Sequence, residues 1–325
     1  MPLEITGLSR RFGNKWVLRD VEFRTREGRV LGLLGASASG RSTLLRLIAG
    51  QIRTNGGKLL FDGEDLIRVK AKDRGVTFLS GSDGRGTRGL FKMFGGSDTV
   101  SGAERQLSMF EEAIGDAGPI VLLDEPFSQM DARARDKSCA AVKRAARSRD
   151  RIVIFASSDF QQIAAVADDV AVLSGGAVVQ TGTPDEIYND PQTIETARLT
   201  GEGNFFEARR LTSSDEDLPE FFTIDGGHRL FAQQTEKSRL GAINKTVTLA
   251  IRPEQVSMSA GASFPEDNLL RAVVTAIKFR GPTSLIEFDA AGLRLETRVF
   301  KIVGLNVGDE CMLGLPPHRI LILKD

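Results

Sequence analysis

Through the first 200 residues, short aliphatic runs alternate with segments in which apolar residues recur every three to four positions. The runs Arg29–Leu34 (RVLGLL), Lys58–Phe61 (KLLF), Ile120–Leu123 (IVLL), Arg151–Ala156 (RIVIFA) and Val170–Leu173 (VAVL) predict buried strands, several leading directly into a polar or glycine-rich turn. Ser42–Ala49, Ala103–Ile114 and Phe160–Ala167 carry the helical period. Strand alternating with helix predicts an α/β domain with a mostly parallel sheet. From about Asn204 the texture changes to short alternating segments set off by Gly, Pro and Asp: NFFEARRL, VTLAIRPE, LLRAVVTAIKF, TSLIEFDAAGLRLETRVF, CMLGL and RILILKD. That pattern predicts a small β-barrel or sandwich, with the boundary near Thr200–Gly203. Between Ser80 and Gly102 neither texture holds: seven glycines surround the apolar knot Leu90–Phe94, so any order expected there is local and weak.

Composition narrows the reading. At about 150 residues per domain, 325 residues suggest two domains, and 41% apolar content excludes a disordered or fibrous chain. Lys plus Arg and Asp plus Glu are 43 each, which leaves no basic excess for a nucleic-acid partner. Cys139 and Cys311 lie far apart without metal-ligand spacing, as expected of small buried apolar residues in a reducing cytosol. Met1–Gly7 has neither a basic nor an apolar leader region, and runs such as Val30–Leu34 fall far short of the roughly 20 residues that span a bilayer. Only two histidines exist, His228 and His318, beside Gly227 and Pro317, where turn positions are expected rather than ligands.

Chemistry concentrates at two strand ends. Gly35-Ala36-Ser37-Ala38-Ser39-Gly40-Arg41-Ser42-Thr43 follows a buried strand and opens a helix, the context of a phosphate-cradling loop. Glycines let backbone N–H groups turn toward one anion, the helix dipole assists, and Ser42 offers a hydroxyl to Mg²⁺. Arg41 stands where that pattern has lysine; it keeps the charge, but its planar fork is longer and bulkier than an ammonium. Eighty residues on, Asp124 and Glu125 end the strand IVLL: Asp124 is placed to hold Mg²⁺ and Glu125 to polarise a water as general base.

With these residues in hand, the chain resembles the ATP-binding subunits of ABC transporters. Phe12 in RRFG is similar to the aromatic that stacks on adenine; Val100–Gln106, with Ser101, Gly102, Ala103 and Glu104, resembles the signature region; Ser128-Gln129-Met130-Asp131 resembles the D-loop, with Asp131 its aspartate. Gln180–Pro184 with Glu186, Tyr188 and Pro191 is similar to the family's exit sequence, while Ile251–Glu254 and Val307–Asp309 resemble the regulatory OB-type (TOBE) barrel of importers for sugars, glycerol derivatives, polyamines or ferric iron. The resemblance implies a P-loop ABC ATPase domain over residues 1–203 and an all-β OB-type domain over 204–325. It further implies ATP and Mg²⁺ as cofactors, held by Phe12, residues 35–43 and Asp124, and a peripheral place on the cytoplasmic face of the inner membrane. Expected partners are a second ABC ATPase subunit, integral-membrane permeases and, indirectly, a periplasmic or extracellular solute-binding protein.

Several family features are replaced. Ser158 occupies the position of the switch histidine, and no histidine precedes His228 to rescue it by realignment. Leu79 occupies the position of the Mg²⁺-sensing glutamine, and none lies between Gln51 and Gln106. Leu79 to Ser101 spans only 22 positions, so the helical subdomain that docks a permease is expected to be truncated over about 80–100. Loss of one group that stabilises transition-state charge costs about 10² to 10³ in rate; with Arg41, Leu79 and Ser158 all departing, turnover at this site is expected to be weak, and Glu125 alone insufficient. The signature is nearly intact, although Ser101-x-x-Glu104 also reads as a helix capping box. A hydrolytically impaired subunit that pairs with a consensus ATPase and donates Ser101 and Gly102 to its site is the expectation. An active homodimer with tolerated substitutions and a non-transport regulator are the alternatives, and for the second domain regulation and a passive role remain open.

Overall fold

The computed structural model describes residues 1–81, 102–128, 130, 132–148, 150–212, 218–232, 239–259, 267–300 and 304–323; at 102–107 and 109 the description covers backbone only. The chain divides into two compact units, Met1–Asn189 and Asp190–Asp325.

The first unit holds two sheets. One is antiparallel and four-stranded, in the order β2-β1-β4-β5, from β1 (Pro2–Phe12), β2 (Lys15–Arg26), β4 (Gly56–Phe61) and β5 (Glu64–Asp65). The other is six-stranded, in the order β10-β9-β3-β8-β7-β6, from β3 (Val30–Leu34), β6 (Val76–Ser80), β7 (Ile120–Asp124), β8 (Ile152–Ser157), β9 (Asp169–Ser174) and β10 (Ala177–Gly182). All its pairings are parallel except that of β10 with β9. Every residue of β3, β7 and β8 is buried, as a parallel sheet covered on both faces requires. The helices are α1 (Arg41–Ile48), α2 (Gly102–Gly115), α3 (Ala132–Ser148), α4 (Phe160–Val166) and α5 (Pro184–Asn189). Lys58–Phe61 thus belongs to the antiparallel sheet rather than the parallel one. Its partner β1 is registered against β2 through a hairpin at Gly13, whose φ of 56° is a left-handed value open to glycine. At Gly32 in β3 an added Cβ would stand 2.6 Å from Ile163 Cγ2 and 2.9 Å from Ala167 Cβ, so α4 packs directly on the strand backbone.

The second unit opens with α6 (Ile194–Thr200) and continues, among the described residues, as ten strands: β11 (Asn204–Arg210), β12 (Glu220–Thr223), β13 (Arg229–Phe231), β14 (Thr246–Ile251), β15 (Ser257–Ser259), β16 (Asn268–Phe279), β17 (Ser284–Ala290), β18 (Leu293–Val299), β19 (Glu310–Leu315) and β20 (Leu321–Leu323). They form two antiparallel five-stranded sheets, β13-β12-β11-β14-β20 and β15-β19-β16-β17-β18, around one core that includes Phe206, Phe221, Leu249, Phe288 and Leu313. Arg252, in the segment Ile251–Glu254, is buried and donates from Nη1 to the carbonyls of Ala197 (2.9 Å) and Glu202 (3.1 Å) and from Nη2 to Thr200 Oγ1 (2.6 Å). The guanidinium therefore closes the C-terminal end of α6, where carbonyls lack intrahelical partners.

Candidate functional site

Strand β3 delivers the chain into the loop 35–43 in close quarters. A Cβ at Gly35 would lie 2.5 Å from the Leu173 carbonyl oxygen and 2.6 Å from Ser39 Oγ; one at Gly40, where φ is +108°, would lie 2.8 Å from Leu18 Cδ2. Ala38 also adopts a left-handed φ, +66°, which costs an L-residue about 1–2 kcal/mol. The Ser39 amide donates to the Ala36 carbonyl (3.1 Å), folding the loop on itself. Helix α1 starts at Arg41 with no side-chain cap and no acidic residue in its first turn, leaving its positive end for an anion. Ser39 Oγ is buried without a hydrogen-bond partner. A cavity of about 420 Å³ opens over this loop, walled by Lys15, Trp16, Val17, residues 38–43, Gly175 and Gly176. Cradling glycines, an orphan hydroxyl and an uncapped helix end together fit a nucleotide's phosphates.

The carboxylates converge on the same loop. Asp124, the last residue of β7, is buried and accepts a hydrogen bond from the Ser42 hydroxyl; burial pushes its carboxyl up, Ser42 and Arg41 pull it back, and Glu125 adds to the rise. A hydroxyl beside a buried carboxylate is the hard oxygen donor set that Mg²⁺ takes. Glu125 has a left-handed φ of +46°, and its carboxylate is gripped from three sides. Arg41 Nη1 lies 2.9 Å from Oε1, the Ser158 amide donates to Oε1 at 2.8 Å, and Ser157 Oγ donates to Oε2 at 3.1 Å. The Arg41 side chain is only 9% exposed, and Nη1 makes no aligned hydrogen bond, so the contact is a charge pair.

The fold brings Arg41, Ser42, Asp124, Glu125 and the backbone of Ser158 together. The Ser158 side chain is exposed, and the residue reaches the site through its amide. Leu79 is buried in β6 beside Leu123 and offers no polar atom to a metal. Phe12 departs from its expected place: its ring lies under the Arg10 guanidinium (4.4 Å) and is absent from the cavity wall, where Trp16 stands instead. The register explains this, because Phe12 pairs with Lys15 and Arg11 with Trp16, so the two aromatics project to opposite faces of the hairpin. Ser101 and Asp131 lie outside the described residues, as does the stretch 82–100; Gly102, Ala103 and Glu104 begin α2, with their side chains outside the description. In the second unit His228 Nε2 sits 2.7 Å from the Ala290 carbonyl and His318 lies in the turn Pro317–Arg319. Both cysteines are buried, which pushes their thiols up. Trp16 and Ser157 escaped the sequence reading, although a serine closing the fully apolar strand β8 was a usable signal.

A phosphate-binding loop at the end of β3, facing an Asp-Glu pair at the end of β7 in the same parallel sheet, defines a P-loop nucleotide-binding domain; here a β-rich unit follows it. The sequence model described as ABC transporter matches residues 18–83, and that described as TOBE domain matches 249–323. Among relatives, the Fe(3+) ions import ATP-binding protein FbpC of Photorhabdus laumondii is 25% identical, over 99% of this chain and 97% of its own length. The spermidine/putrescine import ATP-binding protein PotA of Protochlamydia amoebophila is 26% identical over 84% and 82%. The sulfate/thiosulfate import ATP-binding protein CysA of Caulobacter vibrioides is 30% identical over 64% of this chain and 73% of its own. The chain belongs to the ABC transporter family, as a nucleotide-binding subunit of the importer type with a TOBE domain. Its cofactors are ATP and Mg²⁺.

Proposed function

We propose that this chain is the hydrolytically impaired ATP-binding subunit of a solute importer, working with a second, consensus ATPase subunit and with membrane permeases. In this reading residues 1–203 carry the ATP-binding region and 204–325 the regulatory barrel, with α6 at the end of the first stretch packing as part of the second compact unit. The observation that carries it is the state of Glu125: a general base needs a lone pair turned toward water, whereas this carboxylate is engaged by Arg41, Ser157 and Ser158. Ser158 brings no imidazole, and Leu79 brings no metal-sensing amide.

Residues 35–43 cradle the phosphates, Ser42 and Asp124 hold Mg²⁺, and the bound cofactor supplies a phosphoanhydride. Arg41 and the N-terminus of α1 neutralise its charge, which supports binding without an efficient proton acceptor. The signature residues Ser101 and Gly102 serve the partner's site. No described helix is long and apolar enough to cross a membrane, which fits attachment through permeases at the cytoplasmic face. The test is ATP turnover by the chain alone and mixed with a consensus ATPase encoded beside it. Slow turnover alone and stimulation in the mixture are expected; fast hydrolysis by the isolated chain refutes the reading.

A further inference from the structure

We propose that Glu125 sets the nucleotide affinity of this site by competing with phosphate oxygens for Arg41. This rests on the nucleotide-binding role above and adds a determinant to it. Arg41 is the first residue of α1, directly after Gly40, so its backbone already belongs to the anion-collecting end of the helix. Its guanidinium is buried and lies 2.9 Å from Glu125 Oε1. A guanidinium pairs its charge with either a carboxylate or a phosphate, and a carboxylate standing 2.9 Å from Nη1 holds the cation away from the phosphate and offsets its charge.

The geometry favours return to the closed pair. If Arg41 swings toward the loop, Glu125 does not follow, because the Ser158 amide and the Ser157 hydroxyl hold both of its oxygens. The carboxylate stays in place as a standing competitor. Phosphate binding then has to open an ion pair whose arginine is buried and whose carboxylate is partly exposed, and apparent affinity falls to the fraction of molecules in which the pair is open. A Glu125 acting only as a proton acceptor would leave the affinity for a non-hydrolysable ligand unaffected.

The experiment compares wild-type full-length chain with Glu125→Gln by titration calorimetry, using Mg²⁺ with a non-hydrolysable ATP analogue and, separately, with inorganic triphosphate, which lacks the base. Glutamine keeps an oxygen for the Ser158 amide and removes the charge. Both ligands are expected to bind about 5- to 150-fold more tightly to the variant, the usual range for two coupled binding events. Unchanged or weaker binding overturns the proposal. Arg41→Met and the double variant Arg41→Met/Glu125→Gln provide a second measurement: without the cation, the glutamine substitution is expected to have no effect on affinity. A persistent gain in that background also overturns it. Turnover by the wild type is read separately, so fast hydrolysis removes the impaired-site reading while the affinity comparison still decides on Glu125; failure of every protein to bind either ligand removes both.

Discussion

Replacing Arg252 by methionine keeps a long apolar stem in the second unit and deletes the charged fork. Three acceptors then lose the arginine as a donor: the carbonyls of Ala197 and Glu202 and the hydroxyl of Thr200. Thr200 Oγ1 itself donates to the carbonyls of Thr196 and Ala197, so Ala197 keeps a donor through that hydroxyl and the loss falls mainly on the Glu202 carbonyl. A buried polar group left without its partner costs about 1–3 kcal/mol, and relief from burying a cation returns part of that sum. The net cost is about 1–2 kcal/mol. At roughly 3–5 °C per kcal/mol for a unit of this size, the melting transition falls by about 5 °C. Scanning calorimetry reads it, while fluorescence of Trp16, the single tryptophan of the chain and a residue of the first unit, follows the other transition as an internal reference. Arg252→Lys retains charge without the fork and is expected to fall between the two. A methionine variant melting within about 2 °C of wild type refutes the claim that the guanidinium holds α6.

Two further outcomes follow from the first unit. ATP is expected to change Trp16 emission while inorganic triphosphate leaves it unchanged, and Trp16→Ala to weaken ATP binding about 5- to 150-fold, the equivalent of about 1–3 kcal/mol for a stacked base; Phe12→Ala should leave it within about two-fold, and the reverse pattern returns the base to Phe12. Because burial raises the Asp124 carboxyl above its unfolded value, the folded state binds the extra proton in the interval between the two. Stability therefore falls as pH rises from about 4 through that interval, and the penalty is complete above it. Asp124→Asn is expected to flatten that decline relative to wild type without Mg²⁺, and chemical denaturation across pH that shows parallel curves rejects it.

Much of the fold was legible because burial writes itself into composition. Runs such as IVLL and RIVIFA are apolar on both faces, and only a doubly covered strand needs that. The phosphate loop was legible because its glycines and the following helix start are local requirements. Strands β1 and β2 carried alternating patterns broken by register shifts, and the four- and three-residue strands β12 and β13 were too short to show a period. Identity at the site was readable; pairing was not. That position 41 is arginine and 125 glutamate follows from the letters, but their contact arises from two strand ends 84 residues apart meeting across a parallel sheet. Likewise, the choice between Phe12 and Trp16 depended on which face of a hairpin each occupies, a property set by one turn.

The bare backbone at Gly32 has a mechanical meaning. Strand β3 runs on into the phosphate loop, and α4 begins just past the serines that hold Glu125; with Ile163 and Ala167 seated against a residue that has no side chain, there is no compressible layer between the two. In a close-packed interior such a contact transmits displacement rather than absorbing it. The two walls of the site are thus geared: a shift of the loop that carries Arg41 is passed to the turn that carries Ser157 and Ser158, and a methyl group inserted at position 32 would act as a wedge between them.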